Sequence, residues 1–192
     1  MAEPMLRPSV SLEEYLDLER AADERHELID GEMFAMSGGT REHSLIAVNI
    51  GSGLHAALRP KPCEVFNSDM RIHIEARGRY TYADALVVCG PPQFLDEKRD
   101  TLLNPTAIFE VLSDSTESYD RGEKFAGYRT LPSLQEYVLV SQKQKLVEHF
   151  HRQADGSWLL RVSGTGESVN LPSLGCELVV DEIYFKVFEA PA

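Results

Sequence analysis

The chain of 192 residues is 43% hydrophobic and 26% charged, ordinary proportions for a globular protein able to bury a proper core. Its 31 acidic and 19 basic side chains leave a net charge of −12. That balance argues against a protein that coats nucleic acid nonspecifically, because such binding is mostly Lys and Arg neutralising phosphates. No apolar run reaches membrane-spanning length and the N-terminus lacks a signal-peptide core, so the expectation is a cytoplasmic protein with no membrane contact.

In chain order, Ser11-Leu12-Glu13-Glu14 is a capping box opening a helix striped by Leu12, Tyr15, Leu16 and Leu18. Asp30-Gly31 between two apolar runs signals a hairpin, flanked by Glu27 and Glu32. A long helix starts at Thr40-Arg41-Glu42-His43, with Leu45, Ile46, Val48, Ile50, Leu54 and Leu58 on helical spacing, and Pro60 and Pro62 end it. Gly51 and Gly53 within it are expected to permit close packing. Strands follow at Glu64–Phe66 and Met70–Ile74, the second alternating as if Arg71 and His73 faced water. Cys63, Cys89 and Cys176 lack metal-ligand spacing and read as reduced thiols.

The stretch from Arg79 to Arg129 carries the chemistry. An apolar strand from Tyr80 to Cys89 contains Asp84, and a second, from Pro105 to Ser113, contains Glu110. Residues 91–104 between them read as a loop over the sheet edge. A carboxylate inside an oily strand is costly unless compensated, and a shared metal is one compensation. Asp120 to Arg129 then reads as a helix carrying Lys124, and further strands run over Glu136–Ser141, Lys145–His151 and Trp158–Val162. Asp181-Glu182-Ile183-Tyr184 suits a short terminal helix. The absence of repeats or a linker suggests one domain over residues 1–192, with its core at about 40–141.

From Thr40 to Ser141 the core order is helix, strand, strand, strand, helix, strand. This order resembles the PD-(D/E)XK nuclease superfamily, the restriction-endonuclease-like fold, and is most similar to the Uma-two family of putative restriction endonucleases. The matching segments are Glu27–Glu32, His43, Tyr82-Ala83-Asp84, Glu110–Ser113, Asp120–Phe125 and Leu134–Tyr137. The resemblance implies an α/β (α+β) fold: a mixed central sheet flanked by helices, core order α-β-β-β-α-β, with an N-terminal helix and hairpin and extra C-terminal strands. It also implies a magnesium-dependent DNA endonuclease working as a homodimer, with Mg²⁺ or Mn²⁺ held by Asp84, Glu110 and the Val111 carbonyl. Lys124 would activate water, and Glu32, His43 and Glu27 would support the site.

That chemistry has its own logic. Phosphodiester hydrolysis needs the phosphate charge offset and a water activated, and Mg²⁺ held by one or two carboxylates supplies both. Two departures from the pattern stand out. Ala83 replaces the motif proline, and Leu112 occupies the usual lysine position, so water activation comes from another group or is absent; the resemblance implies a lysine on the following helix, which here is Lys124. On that reading Lys124→Ala should leave folding nearly intact.

Plainer readings stand beside these. Asp84 can cap a main-chain group or pair with Arg71, Glu110 can belong to a structural ion pair, and Lys124 and His43 can be surface residues. Asp120–Glu123 can be a helix cap. Of the hairpin acids alternation lets one face the site, and Glu32 is the expected one. Tyr80, Tyr82 and Tyr128 read as packing groups. His149 and His151 share a strand face, but two histidines without a third ligand fall short of a zinc site. A basic cleft built by Arg71, Arg77, Arg79, Arg121 or Arg129 would favour DNA. The alternatives to a DNA endonuclease are a catalytically inactive binding or regulatory protein of nuclease fold, and a hydrolase of another phosphate ester.

Overall fold

The computed structural model describes residues 9–36 and 38–188. Helix α1 (Leu12–Ala21) begins with the capping box: Glu14 N–H donates to Ser11 Oγ at 3.2 Å, and Ser11 N–H donates to the Glu14 carboxylate at 2.9 Å. Strands β1 (His26–Ile29) and β2 (Glu32–Ala35) form the hairpin. Asp30 and Gly31 both take positive φ, 51° and 84°, as a tight two-residue turn of this hand requires. Helix α2 (Arg41–Leu58) is capped by Thr40, whose hydroxyl accepts the His43 N–H at 3.1 Å, and its buried stripe is Ile46, Ile50, Leu54 and Leu58. Only one of its glycines bears out the packing expectation. A Cβ on Gly53 would come within 3.1 Å of Leu178, while Gly51 faces open space.

Seven strands follow before the second half of the core: β3 (Cys63–Asn67), β4 (Arg71–Ile74), β5 (Arg79–Tyr82), β6 (Ala85–Cys89), β7 (Thr101–Leu102), β8 (Ala107–Leu112) and, after the helical stretch, β9 (Glu136–Ser141). The helical stretch is α3 (Glu117–Tyr119), a π-helical turn (Asp120–Lys124) and α4 (Phe125–Tyr128). Then come β10 (Leu146–Arg152), β11 (Trp158–Gly164), β12 (Ser168–Leu171), β13 (Cys176–Val179) and α5 (Val180–Ile183).

The main sheet runs β11-β10-β9-β8-β6-β3, and a second runs β2-β1-β5-β4-β7. The main sheet is mixed because the helical stretch carries the chain from β8 back into a parallel β9, while its other neighbours are antiparallel. Its two faces bury different clusters. Ala85, Val87, Phe109, Val111, Val138 and Val140 pack with the α2 stripe and the β12–β13 hairpin. Leu86, Ile108, Leu112 and Leu139 pack with Phe125, Tyr128 and Leu134. This is a mixed α+β fold with its sheets flanked by helices.

Four expectations need correction. The acid-bearing strand is two strands in two sheets, β5 and β6, and the chain crosses between layers at Ala83–Asp84; an unbroken apolar run carries no mark of such a crossing. Arg71 and His73 are buried, because β4 has no wet face: the Arg71 guanidinium lies 5.6 Å from the Tyr15 ring centre and His73 stacks on Tyr80 at 4.4 Å. The 91–104 loop contributes β7, parallel to β4. Cys63 and Cys89 form a disulfide, since they are register partners on β3 and β6 with Cα atoms 4.0 Å apart, a proximity their separation of 26 residues conceals. Cys176 remains a free thiol.

Candidate active site

Asp84 sits at the crossing between the sheets, beside the end of β8, where the Val111 N–H donates to its Oδ2 at 2.7 Å. That bond is the capping role allowed for it; Arg71 is elsewhere, donating to Tyr82 and Thr101. His43, from the first turn of α2, brings Nε2 to 3.4 Å from the same Oδ2. The Asp84 contact, with the adjacent Asp120 charge and the Val111 main chain, holds the imidazole above its ordinary value against the opposing effect of burial.

Glu110 points from β8 into the same cavity and is 4% exposed. Its Oε1 lies 2.9 Å from Lys124 Nζ and accepts the Tyr128 hydroxyl at 3.0 Å. Lys124 is 7% exposed, so it is no surface residue. It also donates to the Tyr82 carbonyl at 2.9 Å and lies 3.4 Å from Glu27 and 3.7 Å from Asp120. The π turn places Asp120 and Lys124 on one buried flank, and such turns recur at functional sites. Asp120 is therefore a cavity acid and not a helix cap.

The charges resolve in one direction. Burial disfavours the Lys124 ammonium, but Glu110, Tyr128, Glu27 and Asp120 outweigh it and hold the group well above its ordinary value. Burial pushes Glu110 well up, and Asp120 and Asp84 add to it against the pull of Lys124. Asp120 is raised as well, mainly by burial. Lys124 is thus a fixed cation among carboxylates that exceed what it can neutralise.

Of the hairpin acids, Glu27 faces the site and Glu32 does not. Glu27 accepts the Tyr82 N–H at 3.2 Å and the Thr81 hydroxyl, whereas Glu32 lies at the exposed turn end of β2, in register with Ile29. The reason is that β1 is the inner strand of the hairpin, paired to β5. The cavity measures about 690 Å³, and Glu27, Asp84, Glu110, Asp114, Asp120 and Glu123 line it with Lys124 and His43. Among the described residues no arginine does. Arg79 pairs with Asp30 at 2.8 Å, Arg121 with Glu117 at 3.0 Å and with Glu148, and Arg129 lies over Phe125. A basic cleft of the kind that would favour DNA is not formed at this cavity by the described residues.

Sequence reasoning missed the Tyr128 hydroxyl and the Asp120 carboxylate as neighbours of the site. Their positions four residues either side of Lys124 were the available signal.

Residues 12–181 match the model of a family described as "Putative restriction endonuclease", Uma2. The chain belongs to the Uma2 family. It is 39% identical over 178 residues to the uncharacterized protein slr1290 of Synechocystis, an alignment covering 92% of each chain. It is 38% identical over 147 residues to a second Synechocystis protein, the uncharacterized sll1609, covering 77% of this chain and 83% of that one. A solved structure from Anabaena variabilis, titled a putative nuclease belonging to DUF820, superposes with a TM-score of 0.75 over 93% of this chain and 99% of that one. At 18% identity that likeness establishes the shared fold.

Proposed function

We propose that the cavity is the active site of a metal-dependent endonuclease that hydrolyses DNA phosphodiester bonds. The observation that carries this is the convergence of Asp84, Glu110 and Lys124 on one cavity, with Lys124 Nζ 2.9 Å from Glu110. The donor set suits a hard divalent cation. The described contacts of Glu110 and Asp84 fall on Oε1 and Oδ2, leaving each carboxylate a second oxygen, and the local carboxylate excess needs positive charge. Asp84, Glu110 and the Val111 carbonyl would hold Mg²⁺ or Mn²⁺. A bound Mg²⁺ would make a coordinated water more acidic and offset phosphate charge.

The chain's own groups have separate duties. Val111 N–H fixes the Asp84 carboxylate, Tyr128 fixes Glu110, and Lys124 favours the ionised carboxylate and presents an ammonium to a water in the cavity. The N-terminal end of α2, with Thr40 and His43, opens on the same cavity, so the positive end of an 18-residue helix is turned toward a bound phosphate.

The test is cleavage of supercoiled, linear and single-stranded DNA with Mg²⁺ or Mn²⁺, comparing the parent with Asp84→Asn. Cutting by the parent, abolished by chelation and by the substitution, supports the proposal. No cutting of any substrate with either metal contradicts it. The acid lining and the net charge of −12 favour, in that case, the inactive binding protein.

A further inference from the structure

His149 and His151 acquire a third partner that the sequence spacing did not offer. Glu136 on β9 is the register partner of His151 on β10, and His149 pairs with Val138 two residues along. With side chains alternating across a strand, all three project from one face of two hydrogen-bonded strands. Both imidazoles converge on a single carboxylate oxygen: His149 Nε2 contacts Glu136 Oε2, and His151 Nδ1 lies 3.0 Å from the same atom. The three ligand atoms all fall within 4.8 Å of one another.

We infer that Glu136, His149 and His151 form a second metal site, for Zn²⁺ or a similar transition-metal ion. Two imidazole nitrogens and one carboxylate oxygen are a donor set that zinc favours, with a water or another ligand completing a tetrahedron. The scaffold is rigid, since Glu136 is fully buried and His149 is 3% exposed. The second carboxylate oxygen is held too, accepting the Ser173 N–H at 2.8 Å, the kind of outer contact that orients a ligand. His151, with its side chain 26% exposed, provides the route from solvent.

The plainer account is a buried carboxylate oxygen that accepts one N–H from each imidazole. Titration with cobalt separates that pairing from a metal site. This site is not part of the nuclease cavity. Glu136 shares the face of Val138 and Val140, which pack with α2, whereas Glu110 points to the opposite face. Glu110 is in register with Leu139, three residues beyond Glu136, or roughly 10 Å along the strand.

The experiment uses the full chain, stripped with a chelator and titrated with Co²⁺ as a spectroscopic stand-in for zinc. The inference expects one equivalent of Co²⁺ to bind with the visible absorption of a tetrahedral site, and Zn²⁺ to displace it. His151→Gln, at the half-exposed position where folding is least at risk, should weaken binding about 10-fold or more. His149→Gln should do the same in protein that retains the parent's circular dichroism, and Asp84→Asn should leave the tetrahedral absorption unchanged, because Co²⁺ held by oxygens at Asp84 and Glu110 would absorb only weakly. Absence of a saturable tetrahedral Co²⁺ spectrum in the parent would overturn the inference. So would a tetrahedral spectrum untouched by His151→Gln or lost with Asp84→Asn.

Discussion

At the residue scale Lys124 decides how the cavity behaves. It is buried against Glu110, with Glu27 and Asp120 close by, so removing it strands carboxylates that burial already disfavours as anions. Lys124→Ala should therefore lower stability by about 3–5 kcal/mol in denaturant unfolding, the range for removing one partner of a buried pair. That revises the expectation that Lys124→Ala leaves folding nearly intact, which rested on an ammonium not being a ligand for Mg²⁺. DNA cleavage by the folded fraction should fall about 10²–10⁴-fold, as for other positioned proton-handling groups. Asp84→Asn keeps an acceptor for the Val111 N–H while dropping the charge, so it should cost about 1 kcal/mol or less and still lose metal binding. Equal stability loss in the two variants would contradict this division. Asp84 and Glu110 were legible in the sequence because charges in apolar runs stand out, whereas Lys124, in the polar run Asp120–Lys124, was legible only through the family resemblance. Choosing Glu27 over Glu32 was not, because it depends on which hairpin strand pairs with β5.

At the element scale α2 and the capping box of α1 make separable contributions. Ile50 is fully buried between α2 and the main sheet, so Ile50→Ala should cost about 2–5 kcal/mol, read from the urea midpoint. Ser11→Ala removes one exposed cap and should cost about 1 kcal/mol. Helix α1 is tied to the β7 region by Arg20, which lies 2.9 Å from Asp100 and 2.7 Å from Asp96. The Arg20 hydrogen bonds hold the Asp100 carboxyl below the ordinary value of a free Asp, so this pair's contribution is full above about pH 4 and is lost as pH falls through the lowered value. With Asp100 about a third exposed, the contribution is at most about 1 kcal/mol, and Arg20→Ala should flatten the acid limb of the stability curve by that amount. The long helix, hairpin and central strands were readable because cap, turn and periodicity agreed. The β5–β6 break and β7 were not, because short strands in two-sided burial lose the period-two signal, and the β12–β13 hairpin was not, because its alternation runs for only four residues per strand.

At the scale of the whole molecule, the edge of the main sheet is exposed. β11 is its terminal strand and shows Leu159, Leu160 and Val162 to solvent. An apolar edge strand is a ready pairing surface, and light scattering at micromolar concentration should give the mass of two chains; a monomer mass would contradict the homodimer. Thiol titration of the unreduced, unfolded chain should count one reactive cysteine, Cys176, and three after reduction; three before reduction would refute the Cys63–Cys89 link. The central claim is that Asp84 and Glu110 hold a hard divalent cation, and calorimetric titration with Mg²⁺ tests it most directly. The account predicts saturable binding of one equivalent by the parent, lost in Asp84→Asn and kept in His151→Gln. No heat from the parent, or equal binding by Asp84→Asn, would contradict it.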